Sequence, residues 1–425
     1  MEKYLKRSID RHLMDALNSS GAVWIKGPKW CGKSTTAKQV SKSAVYLQKR
    51  IEREQNIALA RNSPSLFLSG PTPRLIDEWQ VIPFIWDDIR YEVDERDAFG
   101  QFILTGSATP LPDDEAVFRH SGVGRISTLI MRPMSLFESL DSNGSISLGA
   151  LFNGTEVRPS LSQKTLLDYA FLACRGGWPK AVGQTEAVAL RIAKNYYEGL
   201  VENEIPTFDG VKRNKDKLKA LLTSYARNVS SQCSIATILA DMKERCGQTI
   251  SDETALSYIA ALERIFVIED IQAWNPNLRS KTAVRTSPTR HFVDPSIACR
   301  ALGASKNDLI NDLRTFGFVF EDMAVRDLKV YADCLGGEVR HYRDKNELEV
   351  DAIIHLEDGK WAAFEIKLCD PDSIEEGAKH LLRLAEDIDA TKMKAPQFLM
   401  VITATGSAYR REDGVWVVPL ACLRD

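Results

Sequence analysis

Gly27-Pro28-Lys29-Trp30-Cys31-Gly32-Lys33-Ser34 constrains this chain more than any other stretch, because it satisfies G-x-x-x-x-G-K-[ST] in full. A short apolar run, Ala22-Val23-Trp24-Ile25, precedes it, and a helix-compatible segment, Ser34 to Lys42, follows. Strand, glycine loop and helix in that order form a phosphate cradle. The glycines let backbone N–H groups curl inward, and the helix N-terminus adds a favourable dipole. Gly27, Pro28, Lys29, Trp30, Cys31, Gly32, Lys33, Ser34 and Thr35 are therefore the expected nucleotide-binding residues. In such a loop Lys33 bridges the β- and γ-phosphates and the Ser34 hydroxyl sits on Mg2+. A glycine-rich turn before an ordinary helix is the plainer alternative.

Further apolar segments follow at Ala44 to Leu47, Leu75-Ile76, Gln101 to Leu104 and Ile126 to Met131, with helical stretches between them. That interleaving predicts an α/β domain with a parallel sheet. Leu75-Ile76-Asp77-Glu78 reads as a Walker B element, with Asp77 holding Mg2+ through water and Glu78 polarising the attacking water as general base. Pro73 and Arg74 shorten its apolar part, and Asp87-Asp88 is a rival acidic pair that follows no strand. Phe102 to Ser107 is a strand whose Thr105 or Ser107 hydroxyl would sense the γ-phosphate, unless it is a plain polar strand end. Arg125, at the start of the next strand, is placed to reach the γ-phosphate of a neighbouring subunit. A surface arginine is the alternative.

Composition adds bounds rather than direction. At 425 residues the chain has room for about three domains. A net charge of -3 exerts no global pull toward nucleic acid or membrane, so any such affinity is local. The cysteines (31, 174, 233, 246, 299, 334, 369 and 422) are scattered without a C-x-x-C pair. Zinc and disulfide frameworks are not expected, and a reducing cytosol is. No apolar run is long enough to span a bilayer, and Met1-Glu2-Lys3-Tyr4-Leu5-Lys6-Arg7 lacks the apolar core of a signal peptide. The expected location is cytoplasmic, with no membrane partner.

The segments IKGPKWCGKSTTA, LIDEWQ, FILTGSA and GRISTLIMRPMSLFE, with Tyr4-Leu5-Lys6-Arg7 before them, resemble in order and spacing a family of bacterial and archaeal AAA+-type P-loop ATPases. In that family the ATPase module is fused to a C-terminal domain of unknown function. The resemblance implies ATP rather than GTP and a homo-oligomeric ring or partial ring. It divides the chain into a P-loop ATPase domain (1–160), a helical lid and winged-helix domain (161–295) and a C-terminal α/β restriction-endonuclease-like domain (296–425).

In the middle, Leu166 to Glu204 is helical apart from a Gly176-Gly177-Trp178-Pro179 turn, read as structural. Helices are predicted over Lys217 to Asn228, Ser234 to Arg245, and Ala255 to Arg264 with Ser251 as cap. Val267 to Ile271 and His291 to Asp294 read as paired strands, which completes the order of a winged helix. Arg279, Lys281, Arg285 and Arg290 would make a basic wing, and Lys212, Arg213, Lys215, Lys217 and Lys219 a second basic run. Such clusters suit phosphate contacts to DNA, which set affinity rather than sequence preference. A mere packing module is the alternative.

In the last third, a helix from Gly317 through Val330 carries Glu321, and a strand begins at His341. Strands containing Asp351 and Glu365-Ile366-Lys367 follow on either side of a turn at Asp358-Gly359. An acidic residue on one strand and Glu-x-Lys on the next is the arrangement of PD-(D/E)xK nucleases. Alternation puts Glu365 and Lys367 on one face. Asp351, Glu365 and Glu321 are the expected Mg2+ ligands, and Lys367 would orient or deprotonate the attacking water. A helix from Ser373 to Asp387 and a strand from Gln397 to Thr403 complete the core. The expected function is ATP-driven processing of DNA, branched or single-stranded among the candidate forms. The competing expectation is a nucleotide-gated switch or scaffold whose nuclease-like domain binds a protein and cuts nothing.

Overall fold

The computed structural model describes residues 4–107, 122–155, 157–205, 211–276, 287–368, 370–388 and 393–425. They gather into two compact units, Lys6–Pro133 with Arg264–Phe266, and a second formed mainly by Met134–Glu263 and Val267–Asp425. Among the described residues no helix is long and apolar enough to cross a membrane.

The first unit contains, in chain order, α1 (Ile9–Leu17), β1 (Ala22–Lys26), α2 (Lys33–Val40), β2 (Ser43–Tyr46), α3 (Arg50–Asn62), α4 (Pro64–Phe67), β3 (Arg74–Asp77), α5 (Ile85–Arg96), β4 (Phe102–Gly106) and β5 (Ile126–Ile130). The strands form one sheet in the order β2-β3-β4-β1-β5, and every pairing is parallel. Continuous apolar runs are what such strands need, because helices cover both faces. Alternation along β1 sends Trp24 to one layer with Ile76 and Leu104, and Val23 and Ile25 to the other with Leu75 and Ile103. Since all strands run the same way, the loop after β1, Asp77 of β3 and Thr105 of β4 share one edge.

The second unit begins with β6 (Ile146–Ser147), α6 (Leu148–Phe152), β7 (Ser160–Leu161), α7 (Leu166–Arg175), α8 (Glu186–Gly199), α9 (Lys215–Arg227), α10 (Ile235–Cys246) and α11 (Asp252–Arg264). It continues with α12 (Pro295–Leu302), α13 (Lys306–Asn311), α14 (Leu313–Cys334), β8 (Gly337–Arg343), β9 (Glu349–Leu356), β10 (Trp361–Lys367), α15 (Pro371–Asp387), β11 (Leu399–Thr403), β12 (Ser407–Arg410), β13 (Trp416–Pro419) and β14 (Leu423–Arg424). A mixed sheet runs β7-β12-β13-β11-β10-β9-β8, antiparallel from β8 to β10 and parallel from β10 through β11 to β13. Along β10, Ala362 and Phe364 pack with Phe316 and Phe320 of α14, while Trp361 and Ala363 pack with Ala378 and Leu381 of α15. The two helices thus cover opposite faces.

Several elements depart from expectation. The segments 267–271 and 291–294 pair antiparallel through backbone bonds such as Glu269 N–H to the His291 carbonyl, but only as isolated bridges. The strand expected to begin at His341 instead ends near there, running Gly337–Arg343. Helix α14 is longer than 317–330 because Asp312, an unanticipated cap, accepts from the Thr315 N–H and restarts the helix directly after α13. Ser251 and Ser234 do cap α11 and α10, accepting from Thr254 and Thr237 N–H. Trp178 is buried, donates to Ser296 Oγ and stacks on Tyr196, which suits its structural role.

Candidate functional site

The phosphate-binding loop connects β1 to α2 and is held by strong local constraints. Gly27 has φ of +152°, and a Cβ there would lie 2.0 Å from the Met131 carbonyl oxygen. Gly32 caps α2 in a left-handed conformation, and Trp30 is also left-handed with its indole half exposed. The ammonium of Lys33 is buried and donates to the carbonyls of Gly27 at 2.8 Å and Pro28 at 2.7 Å. Both partners are neutral carbonyls, and an ammonium binds a charged oxygen more strongly than a neutral one. Ser34 and Thr35 open the first turn of α2, as a Mg2+-nucleotide cradle requires.

Asp77 ends β3 and accepts from the Thr105 hydroxyl at 2.6 Å, so the strand-end acid and the strand-end hydroxyl are one unit. Glu78 follows in a left-handed conformation, φ 60° and ψ 47°, which is uncommon for a residue with a Cβ. Its carboxyl is tethered by the Gln80 side-chain amide. Burial pushes that carboxyl above its ordinary range, against the opposing pull of Lys33 and Gln80. A raised carboxyl beside the phosphate lysine is suited to polarising water. Ser107 is buried beyond the end of β4. The rival pair Asp87 and Asp88 lies in the first turn of α5 rather than at a strand end, where burial and Asp87 raise the Asp88 carboxyl.

Arg125, expected to reach a neighbouring subunit's γ-phosphate, lies away from the loop of its own chain. It stands before β5, at the N-terminal edge of the parallel sheet, whereas the loop leaves the C-terminal end of β1. A strand of that length separates the two edges by roughly 15 Å, so Arg125 does not serve the loop of its own chain. Its guanidinium is exposed and pairs with Asp94 at 2.8 Å.

A second cluster lies in the other unit. Lys367 Nζ is 2.5 Å from Glu365 Oε2 and 3.6 Å from Asp351 Oδ2. Asp351 also accepts from the Ile366 N–H at 2.7 Å, across the β9–β10 hairpin. His380, absent from the expected set, comes from α15 with Nδ1 3.5 Å from Glu365 Oε1. Gly377, one turn earlier, brings α15 close, since a Cβ there would sit 3.2 Å from Glu365 Cβ. Burial and the neighbouring Asp351 push the carboxyls of Glu321 and Glu365 upward. Burial lowers Lys367, but Asp351 and Glu365 outweigh it and hold the ammonium above its ordinary value. With both carboxylates beside it, Lys367 is held as a cation. All-oxygen ligands suit Mg2+. Among the described residues, however, no three His, Cys, Asp or Glu side chains converge by themselves as a metal cage. The ammonium occupies the centre, and a cation must share that ground with it.

The basic residues of the central segment are largely engaged. Arg213 is buried and donates to the Ile205 carbonyl, and Lys215 and Lys219 both pair with Glu202, at 2.9 and 2.7 Å. Arg290, expected in a basic wing, is instead buried against Asp270 at 2.5 Å. Arg279, Lys281 and Arg285 lie outside the described residues. On α11 the exposed positions include Asp252, Glu253 and Glu263, an acidic surface unsuited to phosphate.

Residues 19–140 match the family described as "AAA domain", which supports nucleotide binding and hydrolysis, and the loop, the sheet order and the adjacent Asp77 and Glu78 accord with that match. Residues 166–308 match "Domain of unknown function (DUF8612)" and residues 316–423 match "Domain of unknown function (DUF4143)". Over 379 residues the chain is 23% identical to the uncharacterized protein Rv2008c of Mycobacterium tuberculosis, covering 89% of this chain and 77% of that one. Among solved structures it is similar to the Walker-type ATPase PABY2304 of Pyrococcus abyssi, at 14% identity and a TM-score of 0.43 over 71% of this chain and 97% of that one. The Aeropyrum pernix ORC2 protein aligns at 13% identity and a TM-score of 0.33 over 71% of this chain and 91% of that one.

Proposed function

We propose that this protein is a cytoplasmic, homo-oligomeric Mg2+-dependent ATPase that acts on DNA through the acidic cluster of its C-terminal sheet. Lys33 would hold the β- and γ-phosphates, Ser34 and Asp77 the Mg2+ ion, and Glu78 the attacking water, with Thr105 or Ser107 registering the γ-phosphate. The reading of the second unit rests on one observation: Asp351, Glu365 and Lys367 meet across a hairpin, with Glu321 electrostatically coupled to them. That set fits metal-assisted phosphodiester hydrolysis, in which carboxylates hold Mg2+ and the ammonium orients water. Branched or single-stranded DNA is the proposed substrate. The test is hydrolysis of Mg2+-ATP with and without single-stranded, duplex and branched DNA, scored together with DNA cleavage in Mg2+ or Mn2+. DNA-stimulated turnover, with cleavage lost in Asp351→Ala and Glu365→Ala, is the expected result. Wild-type cleavage by those variants would remove the catalytic assignment.

The acidic exposed positions of α11 and the engaged basic residues favour a second reading, in which nucleotide gates the binding of a protein partner and nothing is cut. Turnover indifferent to every DNA form, with Lys33-dependent basal hydrolysis intact, would support it.

A further inference from the structure

Arg7 lies just before α1 and its side chain is buried in the ATPase unit. One terminal nitrogen, Nη1, donates to the Cys31 carbonyl at 2.7 Å, and the other, Nη2, donates to the Arg132 carbonyl at 2.8 Å. Cys31 is the residue before Gly32 in the phosphate-binding loop, and it is wholly buried in the apolar layer that also holds Leu13 and Val23. Residue 131 already touches the other end of the loop. Its N–H donates to the Lys26 carbonyl at 2.8 Å, and its own carbonyl excludes any Cβ at Gly27. Arg7 therefore ties the late part of the loop to the segment that flanks the early part.

The consequence follows from peptide geometry. In a planar trans peptide the C=O and the next N–H point in opposite directions. Holding the Cys31 carbonyl toward a buried guanidinium fixes the Gly32 N–H to face away from it, on the side where a cradle gathers its donors. A guanidinium suits this task because its planar fork reaches two acceptors in fixed directions, whereas an ammonium is a point donor on a flexible stem. We infer that Arg7 is a positioning residue for nucleotide binding, setting the loop before the phosphates arrive. It complements Lys33: Lys33 must leave the Gly27 and Pro28 carbonyls to meet phosphate, while Arg7 keeps its carbonyls in both states.

The test uses the full chain with Arg7→Ala and Arg7→Lys, measuring equilibrium Mg2+-ATP binding, KM and kcat, with circular dichroism to follow folding. Loss of charge-assisted bonds to the loop should weaken ATP binding at least about tenfold in Arg7→Ala, with more of the change in KM than in kcat. Arg7→Lys should remain weak, because charge without the fork does not hold both carbonyls. Millimolar guanidinium should restore binding to Arg7→Ala and leave Lys33→Ala unchanged, a rescue that general destabilisation would not produce. Wild-type affinity in folded Arg7→Ala overturns the inference, as does Arg7→Lys indistinguishable from wild type. Should Arg7→Ala fail to fold, Arg7→Lys decides the matter. The inference rests on the ATPase reading of the loop, and wild-type protein that bound no ATP would remove both together.

Discussion

Lys33 and Lys367 each stand at the centre of a candidate site, and they are held in opposite ways. Lys33 donates only to backbone carbonyls, which are neutral dipoles. Lys367 sits between full carboxylate charges, with Glu365 almost wholly buried. A lysine held by dipoles gains when a phosphate arrives. A lysine held by carboxylates in a low-dielectric setting loses a strong partner whenever a metal or substrate claims those oxygens. The first site is poised for its ligand, whereas the second already contains its own counter-ion. Nucleotide binding would ask Lys33 to exchange two neutral carbonyls for phosphate, whereas cation binding at the second cluster would ask Lys367 to give up charged partners.

The largest effect that would test this contrast is on turnover. Glu78→Gln should retain ATP binding and lose about 10²–10⁴-fold in kcat, the usual range for removal of a general base, as read by steady-state phosphate release. Unchanged kcat would transfer the base to another group and leave the raised Glu78 carboxyl without a use. Next, Lys367→Ala leaves Asp351 and Glu365 with no ammonium between them, and should destabilise the second unit by about 3 kcal/mol in denaturant unfolding. If that cluster takes a cation, Mg2+ should recover part of the loss in the variant and do less for the wild type. Equal Mg2+ effects on both proteins would break the contrast.

A smaller effect concerns acid. Burial pulls His341 down to about 4, far below the ordinary histidine value. The folded state therefore keeps it neutral while the unfolded chain protonates it, so its contribution to stability is present above about pH 6.5 and is lost as pH falls toward 4. His341→Gln should flatten the acid limb of stability by about 1.4 kcal/mol per pH unit across that window. An unaltered slope would place the acid sensitivity elsewhere. Finally, Gly377→Val should cost about 1–3 kcal/mol by pressing α15 against Glu365, and should weaken the His380 contact. A neutral result would show that α15 can shift without penalty.

Legibility differed between the two sites for a physical reason. The phosphate loop is contiguous, and its glycines answer to backbone geometry alone, so eight residues sufficed to locate it. Asp77 and Thr105 were each placed by ending an apolar strand, although their mutual hydrogen bond has no sequence signature. The C-terminal cluster draws on β9, β10 and α14, and strand alternation was enough to group Asp351, Glu365 and Lys367. His380 escaped notice because helical register relative to a sheet is fixed by packing, here by the close approach at Gly377. Arg290 was misplaced because charge in a string does not tell which acid it will meet, and Asp270 claimed it. The strands β12 and β13, four residues each, were too short to stand out before their neighbours were known.

The tryptophans around Glu78 carry a consequence of a different kind. Trp79 follows Glu78 directly, and its ring centroid is 5.4 Å from that of Trp24 and 5.2 Å from that of Trp86. Indoles this close pass excitation energy between them, so a turn of Trp79 would alter the emission of its neighbours as well as its own. The indole of Trp30 lies on the phosphate loop, half open to solvent. Four more tryptophans, Trp178, Trp274, Trp361 and Trp416, lie elsewhere in the chain, so a variant with those four replaced by Phe would leave ultraviolet emission to report on the surroundings of Glu78 and of the phosphate loop without any added label.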